Sequence, residues 1–207
     1  MIDLYYWPTP NGRKISILLE ELNVKYKIIK INFNSGEQFT NSFSSISPTN
    51  KIPVIFDHEI KKYFFESSAI MLYLANKYNR FLQKKNYWRI HQWLMFQTSQ
   101  IGPILGQAHQ FLYYFKGKSK FAEKKYIDYV KRIYETLDKQ LKKEKFLACD
   151  YSIADIATWP WIARYKRHRI NINDYQNVHK WYKNIAKRKA VIKGYNPVGE
   201  KEKIPLV

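Results

Sequence analysis

Cysteine is almost missing from this sequence of 207 residues, which contains only Cys149. A single cysteine excludes an internal disulfide, a Cys-x-x-Cys redox pair and a zinc site built from cysteines. The histidines His91, His109 and His179 have no partner at metal-ligand spacing, so we predict no metal site. Any thiol chemistry must therefore use a thiol from outside the chain, and Cys149 is interpreted as a small structural residue.

Long hydrophobic runs are missing as well. The longest, "SSAIMLYLA" and "IATWPWIA", are far shorter than the roughly 18 residues that a membrane-spanning helix needs. The stretch "MIDLYYW" has an acid at Asp3 and no basic region, so it is not interpreted as a secretory signal. We therefore expect a soluble, cytoplasmic protein without a membrane partner.

Acidic side chains are few, since 17 acidic residues stand against 36 basic ones and the formal net charge is +19. Such a charge can attract nucleic acids through their phosphates. However, the lysines are scattered along the chain, and "RYKRHR" at residues 164–169 is the only dense basic run. Neither zinc-finger spacing nor an RNP-like aromatic motif is present. We therefore predict a solvated, lysine-rich surface and no nucleic-acid partner.

The N-terminal part of the sequence alternates short strand patterns with helical ones. In "RKISILLEEL", apolar residues recur at helical spacing from a start near Arg13. The polar turn "DHEIK" between "IPVIF" and "KYFF" predicts a β-hairpin. The predicted elements are strands 2–7, 26–32, 52–56 and 62–65 and helices 13–22, 38–43 and 67–77. Their order, βαβαββα, is that of a compact α/β domain.

After a polar linker at residues 79–86, the pattern is helical only. The segment "YIDYVKRIYETLDKQL" has one apolar stripe opposite a charged face. The segment "YSIADI" predicts a helix start in which Ser152 and Asp155 cap each other's backbone amides. We therefore predict two domains, an α/β domain at residues 1–78 and an all-α domain at residues 87–207.

The loop in "YYWPTPNGRK" joins a strand to a helix without any Cys, His, Asp or Glu. Thr9 and Asn11 are the polar side chains of this loop. Both can donate hydrogen bonds, so the loop can stabilise an anionic atom near a helix N-terminus.

A second candidate stretch is "NKIPVIF…FFESSAIMLYLA". A proline at the start of a strand leaves its neighbour's backbone exposed. Ser67 and Ser68 stand where a strand meets a helix, and the free amides there favour a carboxylate. A ligand can therefore lie extended along residues 51–53 with its carboxylate on these amides. An ordinary N-cap is the alternative interpretation of Ser67.

These motifs together identify a family. "NKIPVI", "FESSAIMLYLA" and "YSIADIATWPW" resemble the glutathione-transferase superfamily, in which a thioredoxin-like domain precedes a helical one. "MIDLYYWPTPNGRKISILLEEL", "FNSGEQF" and "IGPILGQAHQF" are similar to its bacterial nu class, the glutathione-dependent disulfide-bond oxidoreductases. The resemblance extends over residues 1–195. It implies glutathione as a bound cosubstrate, a small disulfide or an electrophile as the second substrate, and a homodimer.

The resemblance also implies roles for the second candidate stretch. Glu66 and Ser67 would hold the γ-glutamyl end of glutathione. The backbone of Ile52 would pair with the cysteinyl unit, and the peptide bond to Pro53 would be cis.

The remaining roles concern the other end of glutathione and its sulfur. Gln38 and Lys51 would lie near the glycyl carboxylate. Thr9 and Asn11 would face the sulfur, and Arg132 would be the arginine of the helical domain that reaches bound glutathione.

Three function classes stay open. The first is the oxidoreductase, in which bound glutathione attacks a disulfide and a second glutathione resolves the mixed disulfide. The second is a conventional transferase that adds glutathione to electrophiles, and the third is a non-catalytic interaction protein on the same fold. A sulfur-binding tyrosine, as in other classes, would have to be Tyr5 or Tyr6, which we assign to the strand. Arg13 stands where relatives often have histidine, so the motifs do not identify the acceptor substrate.

Overall fold

The computed structural model describes residues 1–199 and 202–205, which divide into two compact units. The first unit contains Met1–Arg80 and Arg188–Ile204, and the second contains Phe81–Lys187 and a segment from Pro205. The sequence pattern had placed all residues from 87 onward in the helical domain. The structure instead groups Arg188–Ile204 with the α/β elements.

The first unit has the predicted βαβαββα order followed by one further helix. Its elements are β1 (Ile2–Tyr6), α1 (Pro10–Leu22), β2 (Tyr26–Lys30), α2 (Asn41–Ser44), β3 (Val54–Asp57), β4 (Lys62–Phe65), α3 (Ser67–Lys77) and α9 (Lys189–Tyr195). The predicted helix start near Arg13 is wrong, because α1 begins at Pro10 with Thr9 as its N-cap. Proline is tolerated in the first helical turn because an N–H there has no intrahelical partner.

The strands of the first unit form one mixed sheet in the order β2-β1-β3-β4. β1 runs parallel to β2 and antiparallel to β3, and β3 and β4 form the predicted hairpin. The parallel β1–β2 pair is joined through α1, as a parallel connection requires. The sheet therefore has the mixed topology expected of the N-terminal domain.

α9 packs closely against α1. A β-carbon added to Gly194 would lie 2.6 Å from the α-carbon of Ile17, so the two backbones approach more closely than any larger residue allows. The hydroxyl of Ser16 donates to the carbonyl oxygen of Gly194 at 2.6 Å. Arg188 Nη2 also donates to the carboxylate of Glu21 at 2.8 Å. These contacts explain why the segment after residue 187 belongs to the first unit.

The second unit is helical, as predicted. Its α-helices are α4 (Tyr87–Phe96), α5 (Gly102–Ala108), α6 (Lys120–Lys143), α7 (Ile153–Ile162) and α8 (Gln176–Ala186), with π-helical segments at Gln97–Ile101 and His109–Tyr114. The apolar stripe of α6 is buried at Val130, Ile133, Tyr134, Leu137 and Leu141. α7 is buried at every position, including Trp159 and Trp161.

The predicted capping box at the start of α7 is confirmed. The Ser152 side chain accepts from the first turn, and the Ser152 N–H donates to Asp155 Oδ2 at 3.1 Å. Asp155 Oδ1 also accepts from the Leu147 N–H at 3.0 Å and from Trp181 Nε1 at 2.8 Å. One buried carboxylate therefore joins α7, α8 and the loop after α6.

A buried histidine pair lies in the same unit. His109 Nε2 lies 2.9 Å from His168 Nε2, and His168 Nδ1 lies 2.9 Å from the Tyr134 hydroxyl. Burial lowers the pKa of His109 to about 3, and the charges of Arg167 and Arg164 act in the same direction. Burial likewise holds the pKa of His168 well below its ordinary value. Both rings are therefore neutral at physiological pH and form hydrogen bonds within the core.

Cys149 is exposed, with a φ of 77°, so it lies outside the core. Within residues 1–199 and 202–205, no helix combines the length and apolar character needed to cross a bilayer. In the same residues, no three His, Cys, Asp or Glu side chains cluster as metal ligands do.

Candidate functional site

Three segments meet at one edge of the sheet. In the strand register, Tyr5 pairs with Val54 and Val54 pairs with Phe65, so the end of β1, the start of β3 and the end of β4 are neighbours. The loop into α1, the Ile52-Pro53 peptide and Glu66 continue directly from these three points. The topology of the first unit therefore brings the candidate segments of the sequence together.

The polar loop of the sequence is the cap and first turn of α1. Thr9 Oγ1 accepts a hydrogen bond from the Gly12 N–H at 3.2 Å, and Asn11 lies within the turn that follows. Because Thr9 accepts in this bond, its hydroxyl proton can still be donated to another atom. A helix N-terminus carries partial positive charge, so this turn can stabilise an anion.

Gly12 allows this turn to lie close to β1. A β-carbon at Gly12 would be 2.4 Å from the carbonyl oxygen of Trp7 and 3.0 Å from the ring of Tyr6. Tyr6 is fully buried, in agreement with its assignment to the strand. The short distance between α1 and β1 therefore depends on glycine.

The turn before β3 is fixed by a buried serine. Ser47 Oγ donates to the Lys51 carbonyl oxygen at 2.8 Å and accepts from the Lys51 N–H at 3.1 Å. The Ile52-Pro53 peptide bond is cis, as the resemblance implied. Within the described part of the chain, no hydrogen bond reaches the backbone N–H or carbonyl of Ile52. Such open backbone groups, here just before β3, can pair with an extended peptide.

The start of α3 combines a strained backbone with a buried cation. Glu66, the residue before the helix, has φ 66° and ψ 113°, a conformation that costs a residue with a side chain about 1–3 kcal/mol. Lys14 of α1 is 2% exposed, and its Nζ donates to Ser67 Oγ at 3.2 Å. Burial lowers the pKa of Lys14 to about 7, whereas the charge of Glu66 acts to raise it. An acid, a hydroxyl and a cation therefore meet at a helix N-terminus.

Gln38 lies in the 3₁₀ turn Glu37–Phe39, which precedes α2. Its side-chain oxygen Oε1 is buried and has no hydrogen-bond partner among the described residues. The turn is held by Glu37 Oε2, which accepts from the Asn32 N–H at 2.7 Å. A buried polar atom without a partner destabilises the protein, so this oxygen is suited to a ligand's donor. Lys51 is exposed.

Arg132 lies in the second unit, on the exposed side of α6. Its guanidinium carbon is 5.8 Å from the centre of the Tyr129 ring. It borders a groove of about 330 Å³ that is lined by Phe96, Gln100, Ile104, Tyr129, Arg132, Ile133 and Thr136.

Arg13 is buried and bonded within the first unit. Its Nε donates to the Tyr195 carbonyl oxygen at 2.8 Å, and its Nη2 lies 2.9 Å from the carboxylate of Glu202. The guanidinium carbon also lies 3.8 Å from the centre of the Tyr195 ring. Arg13 is thus part of the packing between α1, the end of α9 and the segment after it.

The comparisons with known proteins agree with this fold. The glutathione S-transferase N-terminal domain family matches residues 1–76, and the glutathione S-transferase C-terminal domain family matches residues 103–189. The chain belongs to the glutathione S-transferase superfamily, and the predicted family and fold are confirmed.

Three proteins of this superfamily are similar to the chain over most of its length. The disulfide-bond oxidoreductase YfcG of Escherichia coli (strain K12) is 42% identical over 198 residues, covering 92% of each chain. A crystal structure of a glutathione transferase from Pseudomonas putida, with one glutathione disulfide bound per subunit, has a TM-score of 0.91 and 36% identity, covering 96% of this chain and 92% of that one. The transcriptional regulator URE2 of Saccharomyces cerevisiae is 34% identical over 227 residues, covering 89% of this chain and 64% of the regulator.

Proposed function

We propose that the protein is a glutathione-dependent disulfide-bond oxidoreductase. The proposal rests on a cluster of hydrogen-bond donors that has no cysteine thiol beside it. Thr9, Asn11 and the N-terminus of α1 lie at one sheet edge, and the first unit contains no cysteine. The name of YfcG, a disulfide-bond oxidoreductase, supports the same reaction. The reactive sulfur is then that of bound glutathione.

In this proposal each candidate residue has a role in binding glutathione. Glu66 binds the γ-glutamyl ammonium, and Ser67 binds the neighbouring carboxylate. The open backbone of Ile52, beside Pro53, pairs with the cysteinyl unit. The other proposed contacts are the Gln38 amide NH2 and Lys51 to the glycyl carboxylate, Thr9 and Asn11 to the sulfur, and Arg132 to bound glutathione.

The energies needed for activation are modest. A free thiol has a pKa of about 8.5, and the thiolate is the nucleophile. Lowering that pKa by roughly two units requires about 2.7 kcal/mol. A hydrogen bond to a charged group supplies about 1.5–3 kcal/mol, and a helix N-terminus adds about 0.3–1 kcal/mol. The Thr9 hydroxyl, the Asn11 amide and the start of α1 are therefore sufficient.

The reaction proceeds by two thiol–disulfide exchanges. The bound glutathione thiolate attacks one sulfur of the substrate disulfide, and the other sulfur leaves as a thiolate that takes up a proton from water. A second glutathione thiolate then attacks the glutathione sulfur of the mixed disulfide, which releases the remaining substrate thiol. Two glutathiones are oxidised to glutathione disulfide, and one substrate disulfide is reduced to two thiols.

The deciding experiment compares two activities of one preparation. Reduction of hydroxyethyl disulfide by glutathione is measured with glutathione reductase as the coupling enzyme, and conjugation is measured with an aryl halide. Fast reduction with slow conjugation is the expected result. Equal reduction by the wild type and by a Thr9→Val, Asn11→Ala double variant would contradict the proposal, and conjugation far faster than reduction would favour a conventional transferase.

A regulatory protein is the second candidate, because the chain is 34% identical to the transcriptional regulator URE2. This candidate predicts that glutathione binds, as measured by calorimetry, while both assays show no turnover. The retained acid, hydroxyl and donor cluster at the sheet edge favours the enzyme, because a purely structural domain does not need it.

We also propose that the protein is a cytoplasmic homodimer. The cytoplasm supplies the reduced glutathione that the reaction consumes. Exposed apolar side chains support an interface, since Tyr63 and Phe65 of β4 are 46% and 43% exposed and Trp88 of α4 is 76% exposed. Sedimentation equilibrium is expected to give a dimer at micromolar concentration, and dissociation is expected for Phe65→Glu. A wild-type monomer would contradict this part of the proposal.

A further inference from the structure

Lys14 is a buried cation for which the proposed reaction has so far given no role. It lies in α1, is 2% exposed, and its Nζ donates to Ser67 Oγ at 3.2 Å. A buried ammonium destabilises a protein strongly unless hydrogen bonds and opposite charge surround it. The side chain therefore occupies this position at a free-energy cost that calls for a functional explanation.

The hydrogen bond to Ser67 sets the direction of that hydroxyl. In its charged form Lys14 has three donors and no acceptor, so Ser67 Oγ is then the acceptor in this contact. The single proton of Ser67 is then turned away from Lys14. Because Ser67 opens α3, that proton and the first backbone N–H groups of the helix can be offered to one anion.

Glu66 supplies the opposite charge at the same point. The pKa of Lys14 is lowered by burial and raised by the charge of Glu66, so the carboxylate lies close enough to act on the ammonium. Glu66, the residue before α3, is the acid whose charge acts on Lys14, and Ser67 beside it is uncharged. A positive donor set next to an acid is complementary to an α-amino acid group, which carries a carboxylate and an ammonium on one carbon.

We propose that Lys14 is a positioning residue for the γ-glutamyl group, and that glutathione binding makes its neutral amine take up a proton from the solvent. The inference rests on the glutathione subsite of the proposed function. The ligand carboxylate, bound to Ser67, places a second negative charge near Lys14 and stabilises its charged form. The ligand ammonium takes part of the interaction with Glu66, so Ser67 and the carboxylate become the main partners of Lys14.

Proton uptake makes this coupling measurable. With a pKa of about 7 before binding, Lys14 is only partly protonated at pH 7.5. If binding keeps it charged, each site takes up roughly 0.5–0.8 proton at that pH. Apparent affinity then falls roughly tenfold or more between pH 6.5 and pH 8.5, because the charged form becomes scarce.

The test is calorimetric titration of the full chain with S-methylglutathione, a probe without a titratable thiol. Repeating the titration at pH 7.5 in buffers of different ionisation enthalpy gives the number of protons taken up. The wild type is expected to show the uptake and the pH dependence. This measurement needs no variant, so it does not depend on whether a substitution disturbs folding.

Substitutions then test whether Lys14 is the group that takes up the proton on binding. Lys14→Met keeps most of the side-chain volume and is expected to abolish proton uptake, flatten the pH profile and weaken binding about tenfold at pH 6.5. Lys14→Arg, which stays charged, is expected to flatten the profile as well. Lys27→Met removes an exposed lysine of β2 and is expected to leave both quantities unchanged.

The outcomes separate this inference from the proposed function. Binding without proton uptake, or with the same uptake in Lys14→Met, overturns the role of Lys14 and leaves the reductase intact. Binding with uptake that Lys14→Met abolishes, but without disulfide reduction, supports Lys14 and overturns the reductase. Wild-type protein that binds no glutathione overturns both.

Discussion

Thr9 Oγ1 lies 3.2 Å from the backbone nitrogen of Gly12 and caps α1. The same hydroxyl is the proposed donor to the sulfur of glutathione. The two tasks are compatible because the cap bond uses a lone pair of the oxygen and the sulfur would receive its proton. Helix stability and the proposed thiol activation would therefore depend on one side chain.

This shared role predicts different results for two substitutions of Thr9. Thr9→Val removes the hydroxyl, so unfolding free energy should fall by about 1 kcal/mol and kcat/KM for disulfide reduction by about ten- to hundredfold. Thr9→Ser keeps the hydroxyl and should preserve both. Urea unfolding and the coupled reductase assay test the pair. Full reductase activity in Thr9→Val would exclude Thr9 as the donor.

Substitution of Asn11 by an acid tests whether the same turn stabilises the thiolate. Asn11→Asp places a carboxylate where the proposal has an amide donor, so the pKa of the bound glutathione thiol should rise by about 1–2 units. Asn11→Ala removes the donor without adding charge and should raise that pKa less. Ultraviolet absorbance of the thiolate, followed against pH with glutathione bound, measures the shift. Identical thiol pKa values in all three proteins would remove Asn11 from the site.

Arg132 tests the contribution of the helical unit. If it reaches bound glutathione, Arg132→Ala should raise the KM for glutathione about tenfold, because a charge-assisted hydrogen bond is lost. Its neighbour Lys131 is also exposed on α6, so Lys131→Ala is the matched control for loss of one positive charge. Steady-state kinetics at saturating disulfide give both values. Equal KM values for the two variants would contradict a specific role.

The contact between α1 and α9 predicts an unequal effect of two glycine substitutions. Gly194→Ala forces a β-carbon to within 2.6 Å of Ile17 and should destabilise the protein by about 1–3 kcal/mol. Gly106→Ala in α5 meets nothing nearer than 3.6 Å and should be neutral or stabilising by up to about 1 kcal/mol. Thermal unfolding of both variants checks the comparison. Similar melting temperatures would mean that α9 yields easily at this contact.

The buried histidine pair predicts sensitivity to acid. Unfolded histidines bind a proton near pH 6.5, whereas burial lowers the pKa of His109 to about 3 and that of His168 well below its ordinary value. Between these values the unfolded chain holds more protons, so stability falls as pH falls, by about 1.4 kcal/mol per pH unit for each histidine.

Substitution of His109 separates its contribution to the pH dependence of stability from that of other groups. His109→Gln keeps a hydrogen-bonding side chain beside His168 without titrating at that position, so its unfolding free energy should depend less on pH between about 6.5 and 4. His91→Gln, at a partly exposed position in the middle of α4, serves as the control. Denaturant unfolding at a series of pH values gives the two slopes. A slope in His109→Gln equal to that of the wild type would show that His109 does not contribute.

Local patterns were sufficient for much of the fold. The hairpin of β3 and β4, the bounds of α3 and the capping box of α7 follow from turn residues, apolar periodicity and paired caps, all of which act over a few residues. Contacts between residues far apart in the chain could not be predicted from these local patterns. Pro10 and Gly12 were interpreted as loop residues, yet Pro10 opens α1 and Gly12 is required by the carbonyl of Trp7.

Lys14, the proposed site residue that the sequence analysis missed, had a signal in the sequence. Lys14 precedes Leu18 by four positions and Leu22 by eight, so it lies on the apolar stripe of its helix. A lysine on such a stripe is either solvated at its tip or paired inside, and Ser67 is more than fifty residues away along the chain. The bonds of Arg13 to Tyr195 and Glu202 span a still larger separation. Partners of this kind follow from the fold and not from local sequence.

The membership of α9 in the first unit has a consequence for biosynthesis. Translation proceeds from the N-terminus, so Phe81–Lys187 of the second unit leave the ribosome before Gly194 does. The surface of α1 that contacts Gly194 must remain uncovered while roughly one hundred intervening residues are synthesised. The first unit thus begins to emerge first but is completed only after Phe81–Lys187 have emerged. A chaperone that binds nascent apolar helices would find α1 exposed during that interval.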